Sequence, residues 1–426
     1  MLKRETLTSK QYVVPFILVT SLFFLWGFAR AILDVLNQHF RDSLNISIAE
    51  SALIQVITYM GYFLMAIPAG MFINRFGYKM GVVFGLALYA VGAFLFIPGS
   101  HVGTLQAFLL CLFVIACGLA MLETSANPYA AELGAKETAA SRLNFAQSFN
   151  GLGSCLAPAI VGTFLFAEGE SADISIPYEI MGIVVVVVAV IFSFSKLPEI
   201  KHEDAEQQDA CTPTSHLQED EKQGRGSVSL YKSLFHNKMF LFGACALLAY
   251  EIAEISINSY FVLFTTGVGM LTAREASVVL GFALMFFMAG RFVGSWVMQG
   301  VPAEKTLFLC ASGTLVSLTG VIFTSFLELG SDSWLQYLPL FFLLTNYVCE
   351  AIMFPTIFSL AIKGLGPLTK SASSILMMTP VGGCAFLLVG FVADRAGYIV
   401  PFFIPLFAFL VVWAYARKLQ KDYVEP

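Results

Sequence analysis

Long apolar runs are the feature that most constrains how this chain folds. Runs of about 20 or more apolar residues, the length that an α-helix needs to cross a bilayer core, recur from one end of the sequence to the other. Hydrophobic residues make up 58% of the chain and charged residues 12%, whereas about a quarter of a soluble domain is charged. The sequence therefore predicts an all-α membrane protein.

Polar breaks divide the apolar runs into twelve predicted membrane spans. One longer polar segment, residues 197–230, is rich in charged and amide side chains and lacks an apolar face, so we expect a cytoplasmic, disordered linker there. It separates an N-terminal six-helix half, residues 1–196, from a C-terminal six-helix half, residues 231–426. The predicted spans are 12–37, 50–74, 79–98, 104–132, 142–167, 176–196, 236–268, 274–299, 303–327, 335–362, 370–394 and 397–417.

The distribution of lysine and arginine predicts the orientation. If the N-terminus lies inside, nearly all of these residues fall in inside segments, and only Arg41, Arg274 and Arg395 fall outside. Cytoplasmic loops carry such an excess of positive charge. Both termini and the linker are therefore predicted to be cytoplasmic.

Two short similarities relate the halves. Residues 123–128 and 350–355 both read E-x4-P in corresponding helices, and residues 70–78 and 390–398 both read G-x3-[ND]-R-x-G-Y. The second pair ends two helices that cross in opposite directions, as inverted repeats would. Two halves built from nested inverted triplets are the architecture of the major facilitator superfamily, and the sequence predicts that fold.

Ionisable residues inside the predicted spans are candidates for function. Each costs about 2.5–3.5 kcal/mol to insert at a helix centre, so such residues usually face the bundle interior or a wet cavity. The six residues are Arg30, Asp34, Glu123, Glu251, Glu254 and Glu350.

Helix 1 places Trp26, Arg30, Asp34 and Asn37 on one face. One interpretation is a structural pair in which Arg30 and Asp34 neutralise each other. The other is that Asp34 is a proton-coupling acid with Arg30 as its partner. Burial favours a protonated carboxyl group and a nearby arginine favours the ionised form, so an acid whose arginine moves away can bind and release a proton.

Helices 4 and 5 supply an acid and several amides. Glu123 and Asn127 precede Pro128, and they form either a satisfied kink or an acceptor for a proton or a sugar hydroxyl. Helix 5 carries three amide side chains, which is more than close helix packing needs: Asn144, Gln147 and Asn150. We therefore predict that Asn127, Gln147 and Asn150 line a polar cavity.

The C-terminal half offers matching side chains. Glu254 and Asn258 share a face of helix 7, and Asn346 and Glu350 share a face of helix 10. We predict that these four residues bind substrate at the interface of the halves.

Arg75 and Lys79 lie in the short loop between helices 2 and 3. They are either topology anchors, which the positive-inside bias alone explains, or gating residues that close the cytoplasmic side.

No metal site or cofactor is predicted. The cysteines lack paired spacing, and all five histidines lie at helix ends, in loops or in the linker. A membrane-embedded enzyme would need clustered nucleophile–base pairs or metal ligands, so we predict that the chain is not an enzyme.

Two strings, L-E-T-S-A-N-P at 122–128 and R-L-N-F-A-Q-S-F-N at 142–150, resemble the fucose–proton symporter family of the major facilitator superfamily. The resemblance covers nearly the whole chain except the linker and the tails. It implies co-transport of protons with fucose, glucose, galactose or N-acetylglucosamine across the bacterial inner membrane, and coupling acids at Asp34 and Glu123. Leu33, Arg30 and Glu350 depart from the family pattern, which leaves the sugar open.

The sequence thus predicts a proton-coupled sugar importer that works by alternating access as a monomer in the plasma membrane, with no nucleic-acid partner. One alternative is a proton-antiport exporter of hydrophobic compounds, against which the amides of helix 5 argue. Another is a transporter-like sugar sensor, which a flux measurement distinguishes from an importer.

Overall fold

The computed structural model describes residues 6–44, 48–165, 175–195, 197–198, 226–327 and 334–424. Within these ranges, the side chains at 30, 32–44, 48–52, 158–165, 175–177, 226–229, 273, 334 and 424 are not described. The described residues form α-helices and short 3-10 helices, with no strand among them.

The helices of the N-terminal half follow the predicted spans closely. The second and third predicted spans form one continuous element in which only Gly77 is non-helical, with φ 84° and ψ 172°. A positive φ is open to glycine at no steric cost, so the chain reverses direction there. The helices are α1 (Val13–Leu44), α2 (Ile48–Phe94), α3 (Phe96–Val102), α4 (Leu105–Glu132), α5 (Ala139–Leu165) and α6 (Ser175–Phe194).

The C-terminal half contains two interrupted spans. The tenth predicted span is divided into α11 and α12, and the eleventh consists of α13, a 3-10 helix at Thr379–Ala385 and α14. The helices are α7 (Gly226–His236), α8 (Lys238–Gly267), α9 (Ala273–Val297), α10 (Ala303–Phe326), α11 (Leu338–Glu350), α12 (Met353–Ile362), α13 (Thr369–Leu376), α14 (Phe386–Ala396) and α15 (Phe403–Val424). Helix α7 includes the last residues of the predicted linker.

The described helices account for twelve crossings. Nine segments of the described residues are long and apolar enough to cross a membrane, and one of them, Leu53–Val102, contains the reversal at Gly77 and so crosses twice. The shorter apolar helix Tyr178–Phe194 and the helix α5 complete the set. The outward faces are apolar: Ile180, Val187 and Ile191 are each at least half exposed on α6. This is the inverse of a soluble protein and suits contact with lipid.

Prolines open the backbone of α4 and of the tenth span at equivalent points. Pro128 and Pro355 have no N–H to donate to the carbonyl four residues earlier, which belongs to Thr124 and Ala351 respectively. Donors from elsewhere replace the missing bonds: the Ser373 hydroxyl donates to the Thr124 carbonyl at 2.9 Å, and Arg291 Nε donates to the Ala351 carbonyl at 3.1 Å. Each freed carbonyl follows directly after a buried acid, Glu123 or Glu350.

Candidate functional site

Glu123 is the buried acid of the N-terminal half. Its side chain is 3% exposed and accepts a hydrogen bond from the hydroxyl of Tyr62 on α2. The part of α2 before Gly77 packs very closely on α4, since a Cβ placed on Gly61, the neighbour of Tyr62, would lie 2.6 Å from the Cβ of Ala116. This close approach brings the Tyr62 phenol within reach of the carboxylate.

The predicted amides of α4 and α5 contact one another. Gln147 Nε2 donates to Asn127 Oδ1 at 3.1 Å, and both side chains are at least 98% buried. Asn127 Nδ2 in turn lies 3.5 Å from the sulfur of Met377 in the other half. Asn150 Nδ2 reaches the carbonyl of Phe23 on α1 at 3.4 Å. The amide pair therefore lies at the interface of the halves.

Glu350 is the buried acid of the C-terminal half. Its exposed fraction is 0%, and Oε2 accepts a hydrogen bond from Asn346 Nδ2 at 2.8 Å. Glu254 and Arg291 are close enough to interact with it electrostatically. Within the part of the chain that the structure describes, Glu350 Oε1 and Asn346 Oδ1 have no hydrogen-bond partner.

Two phenols without hydrogen-bond partners lie near this acid. Among the described residues, the hydroxyls of Tyr250 and Tyr347 lack a hydrogen-bond partner, as does Oδ1 of Asn258, one turn after Glu254 on α8. Both phenols interact electrostatically with Glu254 and Glu350. An unsatisfied buried polar atom costs about 1–3 kcal/mol, so several at one place indicate a site that a polar ligand completes. Carboxylate and amide oxygens accept and phenols both donate and accept, which suits a ligand with several hydroxyl groups.

Arg291 joins the two sets of side chains. It is 6% exposed on α9, and its Nη1 donates across the interface to the backbone carbonyl of Gln147 at 3.1 Å. Its guanidinium also lies 4.5 Å from the ring centroid of Phe287. The positive-inside analysis counts Arg291 with the inside segments although it falls within the eighth predicted span, and the structure buries it at the interface of the halves.

Helix α1 carries Arg30 and Asp34, but their side chains lie outside the described residues, so the predicted pair stays a prediction. Trp26 lies on the same face, one turn before Arg30 and two turns before Asp34. It is 5% exposed, and its Nε1 has no partner among the described residues. The face that carries the predicted coupling acid therefore points into the bundle at Trp26.

Hydrogen bonds join the halves at one end of the bundle, which we call the terminal end because the first and last helices begin and finish there. Ser141 Oγ donates to the Ser295 carbonyl at 2.6 Å, and Ser295 Oγ donates back to the Ser141 carbonyl at 2.8 Å. Asn144 Nδ2 donates to Thr356 Oγ1 at 3.0 Å. At the last turn before Gly77, Asn74 Nδ2 donates to Ser371 Oγ at 2.7 Å. The halves are therefore closed against each other at the terminal end.

Arg75 and Lys79 make contacts within the N-terminal half. Lys79 Nζ donates to the carbonyls of Ser193 and Ser195, both at 2.8 Å, and the Arg75 guanidinium lies 5.2 Å from the ring centroid of Phe76. Their gating role stays a prediction.

Arg142 is a buried structural residue that the charge analysis counted with the inside segments. Its exposed fraction is 0%, and it donates to the carbonyls of Leu7, Ala130, Ala131 and Ala135. It thereby ties the end of α4, the following loop and the N-terminal segment together.

Comparison with known proteins agrees with this architecture. The sequence model of the Major Facilitator Superfamily matches residues 19–386. This chain belongs to the Major Facilitator Superfamily. It is 33% identical to the L-fucose-proton symporter of Escherichia coli K12 over 96% of this chain and 94% of that protein. It is 31% identical to a glucose/galactose transporter of Brucella abortus over 97% and 96%.

A solved structure is also similar over nearly the whole chain. It is the crystal structure of the Major Facilitator Superfamily transporter FucP in the outward conformation, with a TM-score of 0.80, 30% sequence identity, and coverage of 96% of this chain and 99% of that chain. These relatives are transporters, not enzymes. The expected twelve-helix fold of two six-helix halves is confirmed.

Proposed function

We propose that this chain imports a monosaccharide together with protons by alternating access. The observation that carries the proposal is that buried polar groups from both halves form one connected set, from Asn127 through Gln147 and Arg291 to Glu350. A bundle that only had to span the bilayer would not bury these groups, given their cost. The names of the relatives, L-fucose-proton symporter and glucose/galactose transporter, support a sugar as the ligand.

The proposed roles follow the two halves. Asp34 and Glu123 carry the coupling proton, and Arg30 is the partner of Asp34. The substrate-binding residues are Asn127, Gln147, Asn150, Glu254, Asn258, Asn346 and Glu350.

Alternating access uses the two halves, residues 1–196 and 231–426, as the moving bodies, with the segment 197–230 as their connection. The hydrogen bonds at the terminal end, such as Ser141 with Ser295, hold that end closed, so we propose that sugar reaches the site from the opposite face. With both termini in the cytoplasm, this is the state that receives sugar from outside. We propose that the protein acts as a monomer in the bacterial inner membrane.

The energetics favour coupling by even a single proton. One elementary charge that crosses about 100 mV supplies about 2.3 kcal/mol. At about 1.4 kcal/mol per tenfold, this sustains a sugar gradient of roughly fortyfold.

Uptake into proteoliposomes tests the proposal. Fucose, glucose, galactose and N-acetylglucosamine are offered one at a time, with and without an imposed proton gradient, and again with a sodium gradient instead. We expect one of the four to accumulate above its external concentration only when the proton gradient is present. Binding of a sugar without flux would favour a sensor, and proton-driven extrusion of hydrophobic compounds would favour the exporter.

A further inference from the structure

Arg291 donates hydrogen bonds to two groups and interacts electrostatically with a third, and the positions of these groups relative to one another must change during transport. Two of them, the Ala351 carbonyl and the Glu350 carboxylate, belong to its own half, and the third, the Gln147 carbonyl, belongs to the other half. A residue in this position experiences the movement of the halves directly.

The contact with Ala351 fixes the base of the guanidinium. Pro355 cannot donate to the Ala351 carbonyl, and Arg291 Nε occupies that carbonyl instead at 3.1 Å. Because α9, α11 and α12 belong to the same half, rigid movement of that half keeps this bond. The far nitrogens of the guanidinium therefore remain near the substrate site in every state.

The contact with Gln147 depends on closure of the terminal end. Arg291 Nη1 donates to the Gln147 carbonyl at 3.1 Å, on the same pair of helices, α5 and α9, that the reciprocal bonds of Ser141 and Ser295 hold together. When the halves part at this end, the carbonyl moves away with α5. A buried arginine that loses a hydrogen-bond acceptor must find another.

Glu350 is the acceptor that remains. It lies in the same half, already interacts electrostatically with Arg291, and has one carboxylate oxygen, Oε1, without a hydrogen-bond partner among the described residues. In the closed arrangement, no ion pair within 4.0 Å joins Glu350 to Arg291 or to any other base that the structure describes. Glu350 Oε1 is therefore available to a sugar hydroxyl until Arg291 takes it.

We propose that Arg291 is a positioning residue that releases the sugar, by exchanging the Gln147 carbonyl for the Glu350 carboxylate when the terminal end opens. The inference rests on the proposed function and adds the step by which the site loses affinity. A charge-assisted bond is stronger than one to a neutral hydroxyl, so Arg291 displaces the sugar from Glu350. Arg291 changes its acceptor only after the terminal end has opened. The sugar is therefore held during the transition and released on the side of the membrane at which the terminal end lies, which we call the terminal face.

The test compares sugar affinity at the two faces of the membrane. Right-side-out and inside-out vesicles that contain the full chain are assayed for sugar exchange, and the half-saturating sugar concentration is measured at each face. For the unaltered protein, we expect this concentration to be about tenfold or more higher at the terminal face, since one charge-assisted bond competes there. The readout is the ratio between the faces, which a general loss of packing would not change.

Three variants separate the proposal from its rivals. Arg291→Gln removes the competing charge and Glu350→Gln removes its target, so each should bring the ratio between the faces close to one. Arg291→Lys keeps the charge and should retain most of the ratio.

The two neutral variants are independent, so one that fails to reach the membrane leaves the other to decide. A ratio near one in the unaltered protein, or an unchanged ratio in either neutral variant, would overturn the proposal. Absence of any sugar flux in the unaltered protein would instead contradict the proposed function.

Discussion

The two E-x4-P repeats place the same residues in different surroundings. In the N-terminal half, Glu123 accepts a hydrogen bond from Tyr62, and the carbonyl that Pro128 frees is bonded by Ser373 of the opposite half. In the C-terminal half, Glu350 retains an oxygen without a partner among the described residues, and the carbonyl that Pro355 frees is bonded by Arg291 of the same half.

This difference assigns different tasks to the two acids. The carbonyl that Pro128 frees, next to Glu123, accepts a hydrogen bond across the interface, so opening of the terminal end changes the surroundings of that acid. The carbonyl that Pro355 frees, next to Glu350, accepts its hydrogen bond from within its own half, and Glu350 lies near phenols and an amide. We therefore associate the N-terminal acids with coupling and the C-terminal acids with the substrate.

Asp34→Asn should have the largest effect. If Asp34 carries the coupling proton, the variant should exchange sugar but no longer accumulate it, so that the gradient at about 100 mV falls from roughly fortyfold to one. Accumulation and exchange are measured on the same proteoliposomes. Asp394→Asn is the matched control, since Asp394 is an exposed acid at the end of α14 and should leave accumulation unchanged. Concentrative uptake by the Asp34 variant would show that another group couples transport.

Glu350→Gln should weaken sugar binding without removing coupling, which distinguishes the acid of the C-terminal repeat from that of the N-terminal repeat. The amide offers one acceptor oxygen in place of the two oxygens of the carboxyl group, of which Asn346 already occupies one, so we expect the half-saturating sugar concentration at the outer face to rise about tenfold. Accumulation at saturating sugar should persist. The comparison with Glu123→Gln is decisive, because that variant should lose accumulation while its sugar affinity stays close to normal. Equal losses of accumulation in both variants would contradict the division of tasks.

Gln147→Ala should weaken sugar binding by about two- to tenfold, the worth of one neutral hydrogen bond. The exchange rate as a function of sugar concentration provides the measurement. Ser148→Ala on the same helix is the control, because its hydroxyl bonds to the Asn144 carbonyl of its own helix at 2.9 Å. Unchanged exchange kinetics in the Gln147 variant would place the sugar away from α5.

Ser373→Ala should give the smallest effect, and it acts only on the carbonyl that Pro128 frees in the N-terminal half. It leaves the Thr124 carbonyl without its donor, so the terminal end should open more often, and amide hydrogens of α13 should exchange about two- to tenfold faster. Mass spectrometry of the whole chain in lipid discs measures this. In the control Thr345→Ala, the lost hydroxyl bonds only to Phe341 of its own helix. Equal exchange in both variants would indicate that the Thr124 bond does not hold the terminal end.

The sequence predicted the spans well because apolar length is a strong and local signal. Residues 303–327, for example, were predicted as a span, and the helix runs from Ala303 to Phe326. The interruption after Glu350 was less visible, since Pro355 kinks a helix but does not reveal which donor bonds the carbonyl it frees. That donor, Arg291, lies 60 residues away in the sequence.

Contacts among the candidate residues were predicted in part for the same reason. Acids and amides within apolar runs stand out individually, and Asn127 with Gln147 and Asn346 with Glu350 do contact each other. Tyr62 could not be identified from its sequence surroundings, because a tyrosine in an apolar run is ordinary and its partner Glu123 is 61 residues away. Arg142 and Arg291 were counted with the inside segments in the charge analysis, although both fall within predicted spans. The two arginines are buried because carbonyls distant in the sequence accept their hydrogen bonds. That is a property of the tertiary structure, which the local sequence does not show.

Proton movement during sugar entry tests the central claim most directly. Proteoliposomes in a weakly buffered medium receive a pulse of the transported sugar, and the external pH is recorded without any imposed gradient. The account predicts that the medium becomes more alkaline as sugar enters, and that this change disappears in Asp34→Asn although sugar still exchanges. Sugar entry at constant pH, or acidification of the medium, would contradict proton-coupled import.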